Sequence, residues 1–215
     1  MIPPLYAIID EESAGRGGRT VVDLASAMLD GGATFLQLRM KHASGAAFLA
    51  AARTVVARAH AAGARVIVND RADIAALAGA DGVHVGQDDL PPAAVRTIVG
   101  GAAVVGLSTH TPAQIAAALA EPISYLAIGP VFGTATKATG YEAVGLDAVR
   151  RAAAQAGEKG IPVVAIGGIT LERAASVLEA GAASVAVISD LAGADPASRV
   201  REYVERLSTA GQRRV

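Results

Sequence analysis

The sequence predicts an α/β fold, specifically a single-domain (β/α)8 TIM barrel. Eight short apolar runs alternate with alanine-rich segments of helix length along the whole chain. The runs are almost continuously apolar, as in parallel strands that are covered on both faces. A length of 215 residues fits one barrel on the small side of its size range. A flavodoxin-like open sheet is the other architecture that this alternation allows.

The predicted strands follow one another at intervals that leave room for a helix or a short loop. In order they are LYAIID (5–10), TFLQLR (34–39), ARVIVND (64–70), GVHVG (82–86), AVVGLS (103–108), SYLAIG (124–129), IPVVAIGG (161–168) and ASVAVIS (183–189). Intervening segments such as TVVDLASAMLDGG and LDAVRRAAAQAG predict helices, and several end in glycine, as helix C-termini often do. One domain is therefore predicted over residues 1–215, with 208–215 as a frayed tail.

The composition excludes several classes of protein. Hydrophobic residues make up 52% of the chain and charged residues 18%, and no apolar stretch reaches the roughly 20 residues of a membrane span. A net charge of −1 offers no basic surface, so neither nucleic acid nor membrane is an expected partner. The absence of cysteine excludes disulfides and a cysteine nucleophile. No basic segment precedes the first apolar run, so we expect a cytoplasmic protein.

Polar side chains follow the second predicted strand. Gln37, Arg39 and Lys41 occupy alternate positions, and a strand would direct all three to one face. The active site of such a barrel forms at the carboxyl ends of the strands, so this face is a candidate for a concave site. Two buried cations without an anion would be costly, which favours a bound anion. A solvated strand end is the alternative interpretation.

Carboxylates follow strands three and four. Asn69 and Asp70 end the third strand, and Gln87, Asp88 and Asp89 follow the fourth. These residue types are also common as helix N-caps and in first turns. If the two strand ends converge, their oxygen atoms face the cations of strand two and suit a Mg²⁺ ion with a phosphate.

The later strand ends carry hydroxyl groups, a lysine and a pair of glycines. The glycines follow strand seven, where exposed backbone amides of such barrels often bind phosphate, although a tight turn would need them equally. In chain order the residues are Ser108, Thr109, His110, Thr134, Thr136, Lys137, Gly167 and Gly168.

Four histidines are dispersed along the chain, and only His110 lies at a predicted strand end. His60 falls within a helix, His42 beside the cationic strand end, and His84 within strand four. No His/His/carboxylate spacing indicates a tightly held transition metal.

Taken together, these motifs resemble the thiamine-phosphate synthase family. The resemblance rests on QLRMK, VIVNDRADIAALAGADGVHVGQDDLP, GLSTHT, GPVFGTATK and VVAIGGIT with GAASVAVIS, and it extends over nearly the whole chain. It implies a (β/α)8 transferase that condenses hydroxymethylpyrimidine pyrophosphate with a thiazole phosphate, carboxylated or not. The products would be thiamine phosphate and pyrophosphate, formed by dissociative loss of magnesium pyrophosphate. The implied partners are these two small phosphorylated substrates, and a homo-oligomer is compatible with them.

The resemblance also implies roles for individual residues. Gln37 would contact the pyrimidine, and Asp70 and Asp89 would hold Mg²⁺. The residues at the pyrophosphate, which include the catalytic ones, would be Arg39, Lys41, Asn69, Ser108 and Lys137. The residues at the thiazole substrate and its phosphate would be Thr134, Thr136, Gly168, Ile188 and Ser189.

One segment departs from the family pattern. The family commonly has PTxTKKD where this chain has GTATKAT, so Ala138 replaces a frequent second lysine while Lys137 is retained. Three other functions stay open. A thiazole tautomerase would use His110 as its acid and base, a sugar-phosphate epimerase would need carboxylates around a histidine-ligated metal, and a regulatory protein would bind without turnover.

Overall fold

The eight apolar runs form eight parallel strands that close into a barrel, each pairing with the next and the last with the first. The computed structural model describes residues 2–133 and 142–212. The strands are β1 (Leu5–Asp10), β2 (Phe35–Arg39), β3 (Arg65–Asn69), β4 (Gly82–Val85), β5 (Val104–Thr109), β6 (Tyr125–Ile128), β7 (Val163–Ile166) and β8 (Ser184–Val187). The predicted (β/α)8 barrel is therefore confirmed, and closure of the sheet excludes the open flavodoxin-like alternative.

Helices cover the outside of the barrel between successive strands. They are α1 (Glu11–Arg16), α2 (Val21–Asp30), α3 (Gly45–Ala61), α4 (Ala72–Ala78), α5 (Pro92–Val99), α6 (Pro112–Ala118), α7 (Gly145–Gly157), α8 (Leu171–Glu179) and α9 (Pro196–Gln212), with a 3-10 helix at Ser189–Leu191. Local signals begin several of them: Thr20 and Asp23 form a capping box on α2, and the Ser44 hydroxyl accepts from the Ala47 amide on α3.

The end of the chain is helical further than the sequence predicts. Helix α9 continues through residues 208–212, which we expected to be frayed, and residues 213–215 lie outside the described part of the chain. Across the residues that the structure describes, no helix combines the length and the apolar character needed to cross a bilayer.

Two apolar cores follow from the alternation of side chains along each strand. Ala7 and Ile9 of β1 pack outward against the helices, whereas Tyr6 and Ile8 point into the barrel. The interior core consists of Tyr6, Ile8, Phe35, Ile67, Tyr125, Ala127, Val164 and Ala186. Fully burying one such aliphatic side chain contributes about 1.5–3 kcal/mol. The interior is therefore packed, and the inward side chains Gln37, His84 and Ser108 lie nearer the carboxyl ends of the strands, where the cavity opens.

One glycine makes room for the largest of these interior side chains. A Cβ on Gly106 would lie 2.0 Å from Cζ and 2.3 Å from the hydroxyl oxygen of Tyr125. The Tyr125 ring therefore occupies the space that a side chain of the neighbouring strand β5 would fill, and it reaches across the barrel beneath the strand ends.

Candidate active site

A cavity of about 470 Å³ opens at the carboxyl ends of the strands. One side is polar and the other is formed by apolar side chains and by the loops after β7 and β8. Seven of the residues that the resemblance assigns to the substrates line it, namely Gln37, Arg39, Asn69, Ser108, Gly168, Ile188 and Ser189. The position of the cavity is that of the active site in barrels of this kind.

Arg39 has an anionic partner within the protein. Its guanidinium pairs with the Asp10 carboxylate, which is buried at the end of β1. The other Asp10 oxygen accepts from the amide and the hydroxyl of Ser13, at 3.0 and 2.9 Å. The sequence favours a bound anion beside the two cations, and it did not foresee that a carboxylate already compensates the charge of Arg39 and fixes its side chain. The bound anion stays a prediction.

Lys41 also has a carboxylate partner. Strand β2 ends at Arg39, so Lys41 does not continue the alternation that we expected, and it lies in the loop beyond the strand. Its ammonium forms an ion pair with Asp70, and 40% of the side chain is exposed. Lys41 therefore lies at the rim, outside the residues that line the cavity.

Asp70 and Asp89 come together at this rim, as predicted from the ends of β3 and β4. Burial raises the pKa of Asp70 above its usual value; Lys41 opposes this rise, and the nearby Asp89 carboxyl adds to it. Neither residue caps a helix, since α4 begins after Arg71 and α5 after Pro91. Asp70 has a φ of 61°, a left-handed conformation that is uncommon outside glycine.

The loop that carries Asp89 is fixed internally. An Asp89 oxygen accepts from the Gly86 amide at 2.8 Å, and the Gln87 side-chain amide donates to the carbonyl of Ser108 at 2.6 Å. Asp88 is exposed, whereas Asp89 is half-buried. The two adjacent carboxylates therefore differ in their surroundings, and Asp89, which the resemblance assigns to Mg²⁺, is the one that neighbours Asp70.

His110 lines the cavity at the end of β5 with a defined tautomer. Its Nδ1 lies 2.5 Å from the Gly129 carbonyl, which can only accept, so Nδ1 carries a proton. In the neutral ring the lone pair is then on Nε2. Thr109, by contrast, is fully buried in the barrel wall, where its hydroxyl donates to the Ala127 carbonyl at 2.8 Å.

The glycine pair after β7 brings backbone close to backbone. Gly167 and Gly168 have φ of 102° and 61°, and a Cβ on Gly168 would lie 2.6 Å from the Gly133 carbonyl oxygen. Gly168 is therefore needed because the loop after β6 leaves no room for a side chain. The sequence suggested a different reason, namely that a substrate phosphate approaches the backbone here. Arg173 donates to the Gly168 carbonyl at 3.0 Å and adds positive charge to this side of the cavity.

A half-buried carboxylate supports the neighbouring segment at Ser189. The Asp190 carboxylate accepts from the Leu171 amide at 3.1 Å, from Tyr203 at 2.6 Å and from Arg199 at 3.0 Å. These contacts tie the loop after β8 to helices α8 and α9, so the backbone at Ile188 and Ser189 has a fixed position beside Gly168.

Sequence reasoning missed three residues of the cavity floor and its support: Tyr6, Tyr125 and His84. The His84 imidazole bonds to the Tyr125 hydroxyl and to Ser108, both at 2.8 Å. A lone polar residue at an inward position of an apolar strand was the signal that could have identified His84. His60 and His42 lie on the surface beside Asp81 and Glu12.

Three predicted site residues, Thr134, Thr136 and Lys137, lie outside the described residues, as does Ala138. Among the residues that the structure does describe, no group of three or more histidine, aspartate or glutamate side chains could hold a metal ion.

Known proteins resemble this chain over most of its length. Residues 5–191 match the family model for thiamine monophosphate synthase. A thiamine-phosphate synthase from Koribacter versatilis is 44% identical over 208 residues, which cover 96% of both chains. One from Roseiflexus castenholzii is 41% identical, covering 92% of this chain and 85% of that protein. The structure of a thiamine phosphate pyrophosphorylase from Pyrococcus furiosus superposes with a TM-score of 0.86 at 29% identity, covering 96% of each chain.

Proposed function

Because this chain belongs to the thiamine monophosphate synthase family, we propose that it condenses hydroxymethylpyrimidine pyrophosphate with a thiazole phosphate. The products are thiamine phosphate and pyrophosphate, so the enzyme is a transferase of thiamine biosynthesis. The proposal keeps the cytoplasmic location and the small phosphorylated substrates that the sequence predicts.

The observation that carries this proposal is the charge arrangement at the rim of the cavity. Arg39, paired with Asp10, lines the cavity, and Lys41 is paired at the rim with Asp70, whose carboxyl group neighbours that of Asp89. This arrangement suits a pyrophosphate together with a divalent cation. Arg39 has further N–H donors for a phosphate oxygen while it stays paired with Asp10, and Lys41 can exchange Asp70 for a phosphate oxygen when a metal ion binds that carboxylate. An isomerase that acts on a thiazole phosphate alone would have no use for this arrangement.

The rim also fits Mg²⁺ by the chemistry of its donors. Mg²⁺ usually binds proteins through one or two carboxylates and completes its shell with water and substrate phosphates. Asp70 and Asp89 supply two such carboxylates, whose mutual repulsion a divalent cation would relieve. When bound, the ion would neutralise the charge that develops on the leaving pyrophosphate.

The reaction requires no activated nucleophile from the protein. The bond between the pyrimidine methylene carbon and the pyrophosphate oxygen breaks, and its electron pair leaves with the pyrophosphate. The amino-substituted ring stabilises the resulting cation, and the thiazole nitrogen lone pair forms the new C–N bond. Arg39, held by Asp10, and Asn69 are positioned to bind the pyrophosphate, so the protein contributes placement and electrostatic stabilisation.

The thiazole phosphate is assigned to the side of the cavity formed by the loops after β7 and β8. Gly168, Ile188 and Ser189 line it, and the charge of Arg173 favours an anion there. Thr134, Thr136 and Lys137 are assigned to the substrates through the family resemblance.

The direct test is to incubate the purified protein with both substrates and Mg²⁺ and to measure thiamine phosphate and pyrophosphate. We expect the two products in equal amounts, and neither when one substrate is omitted. Binding of both substrates without any product would instead indicate the regulatory protein that the sequence left open.

Replacing Gly168 by alanine is expected to raise the KM for the thiazole phosphate by about tenfold, with less effect on the pyrimidine substrate. The new Cβ would strike the loop at Phe132 and Gly133, and the backbone that faces the phosphate would have to shift. Steady-state kinetics on both substrates measure the change.

Gly160→Ala is the matched control for this substitution. Gly160 has a similar positive φ of 66°, but a Cβ there would have no neighbour within 4 Å. It therefore reproduces the backbone strain away from the cavity. An unchanged thiazole KM in folded Gly168→Ala would mean that the glycine pair is only a tight turn.

A thiazole tautomerase is the second candidate, favoured by the fixed tautomer of His110 beside the cavity. Such an enzyme would move a proton at the thiazole ring, and the Nε2 lone pair of His110 could accept it. The two candidate functions differ in whether the loss of Lys137 or the loss of His110 should lower kcat more.

Under the synthase proposal, Lys137→Ala should lower kcat by about 10- to 150-fold, because a charge-assisted hydrogen bond contributes roughly 1.5–3 kcal/mol. His110→Ala should lower kcat less, since the reaction asks for no strong base. Both variants are assayed for condensation and for tautomerisation after circular dichroism has verified folding. A larger loss for His110→Ala than for Lys137→Ala in condensation would reject the assigned roles.

A further inference from the structure

Five side chains from five strands form one continuous chain of hydrogen bonds beneath the cavity. Gln37 donates to the Tyr6 hydroxyl at 2.8 Å, and the Tyr6 and Tyr125 hydroxyls are 3.1 Å apart. Tyr125 is 2.8 Å from Nδ1 of His84, whose Nε2 is 2.8 Å from the Ser108 hydroxyl. We call this chain of hydrogen bonds the relay; its two ends, Gln37 and Ser108, line the cavity, as do Tyr6 and His84.

The packing leaves the two tyrosines in the middle of the relay little freedom. Tyr6 and Tyr125 are 1% and 0% exposed, and the Tyr125 ring stacks on His84 at an interplanar angle of 14°. Burial raises the pKa of both phenols, so each keeps its single hydrogen. A buried hydroxyl hydrogen without an acceptor is costly, and the hydrogens along the relay are therefore ordered.

Counting hydrogens leaves two fully satisfied orders with a neutral imidazole. In the first, Gln37 donates to Tyr6, Tyr6 to Tyr125, Tyr125 to Nδ1 of His84, and Nε2 of His84 to Ser108. Gln37 then presents its carbonyl oxygen away from Tyr6, and Ser108 has its hydrogen available for a ligand. This order agrees with the orientation of the Gln37 amide, whose Nε2 faces Tyr6.

In the second order every bond is reversed. The Gln37 amide is flipped so that its oxygen accepts from Tyr6, and its NH2 group is presented to a ligand instead. At the other end Ser108 donates to His84 and offers only lone pairs. The hydrogen-bonding character of Gln37 is thus coupled to that of Ser108 through two tyrosines and a histidine.

We propose that this relay is a specificity determinant that selects a 4-aminopyrimidine over a 4-oxopyrimidine, with Tyr6, Tyr125 and His84 as positioning residues. The inference rests on the proposed function and on the roles that the family resemblance implies, with the pyrimidine at Gln37 and the pyrophosphate at Ser108. It sets the ring substituent at position 4 against Gln37 and a pyrophosphate oxygen against Ser108. An amino group donates and needs the Gln37 oxygen, while an anionic oxygen accepts and needs the Ser108 hydrogen. Only the first order satisfies both.

A 4-oxopyrimidine pyrophosphate places opposite demands on the two ends. Its ring carbonyl needs the Gln37 NH2 group, which imposes the second order and leaves a Ser108 lone pair against the anionic pyrophosphate. Through the relay, a 4-oxo group at Gln37 therefore weakens the hydrogen bond between Ser108 and the pyrophosphate. Gln37 alone, with a freely rotating amide, would accept either ring.

The test compares the dissociation constants of the 4-amino compound and its 4-oxo analogue, both as pyrophosphates, by calorimetry with Mg²⁺ and without thiazole substrate. A single mildly alkaline pH favours the neutral imidazole. Tyr125→Phe keeps the ring and divides the relay, so each half can order itself. We expect the preference for the amino compound to fall by about tenfold or more, mainly because the oxo analogue binds more tightly.

Tyr6→Phe divides the relay at its other hydroxyl and should lower the preference in the same way. If one variant does not fold, the other still decides the matter. Tyr203→Phe is the matched control, because Tyr203 is also fully buried and hydrogen-bonded, to Asp190, but lies outside the relay. The Tyr203→Phe variant should prefer the 4-amino compound over the 4-oxo analogue as strongly as the unmodified protein does.

An amino-to-oxo preference that stays within about twofold of the unmodified protein in a folded relay variant would overturn the inference. Equal weakening of both ligands would do the same, since it indicates a purely structural role. The proposed function fails separately, if the unmodified protein binds neither pyrimidine pyrophosphate or forms no product with the thiazole phosphate.

Discussion

Asp70→Asn is expected to lower turnover by about 100- to 1,000-fold at saturating substrate and physiological Mg²⁺, because loss of one metal carboxylate removes several kcal/mol of electrostatic stabilisation. Asparagine is the appropriate replacement, since Asp70 has a φ of 61° and asparagine tolerates this left-handed conformation. The substitution therefore removes the charge and keeps the backbone. Steady-state kinetics over a range of Mg²⁺ concentrations, with calorimetric Mg²⁺ binding, measure the effect.

Asp89→Asn should behave in the same way, and Asp88→Asn supplies the control within the same turn. Asp88 is exposed, whereas Asp89 is half-buried and close to Asp70. We expect nearly unchanged turnover and Mg²⁺ dependence for the Asp88 variant. Full activity of the unmodified protein in a chelator, or equal damage from Asp88→Asn and Asp89→Asn, would show that the assigned metal site is wrong.

Gly106→Ala is expected to lower the free energy of unfolding by about 3–5 kcal/mol, through overpacking and the loss of buried hydrogen bonds. The added methyl group would lie 2.0 Å from Cζ of Tyr125, which is fully buried and has no space to retreat. The ring would have to shift, and its hydroxyl would lose Tyr6 or His84. Urea denaturation followed by circular dichroism measures the change.

Gly101→Ala is the matched control for this stability effect. Gly101 is exposed, and a Cβ there would have no neighbour within 4 Å. We expect an unfolding free energy within about 0.5 kcal/mol of the unmodified protein for the control. A similarly small change for Gly106→Ala would mean that Tyr125 does not depend on the missing side chain.

At the rim of the cavity, the sequence predicted some neighbours correctly and missed others. The sequence predicted that Asp70 and Asp89 converge, and they do, because the carboxyl ends of adjacent parallel strands meet at one edge of the barrel. It did not predict that Arg39 pairs with Asp10. Asp10 is distant in sequence from Arg39, and only the pairing of β1 with β2 brings the two residues opposite each other.

The sequence by itself determined the barrel and the strand ends that surround the site, since alternating apolar strands and helices leave few ways to bury their apolar faces. The relay from Gln37 to Ser108 was decided by the tertiary structure alone. Tyr125 looks like an ordinary strand residue until closure of the sheet sets it against Gly106, Tyr6 and His84. Local patterns report on each strand separately, whereas a hydrogen bond across the barrel depends on the registers of all the strands at once.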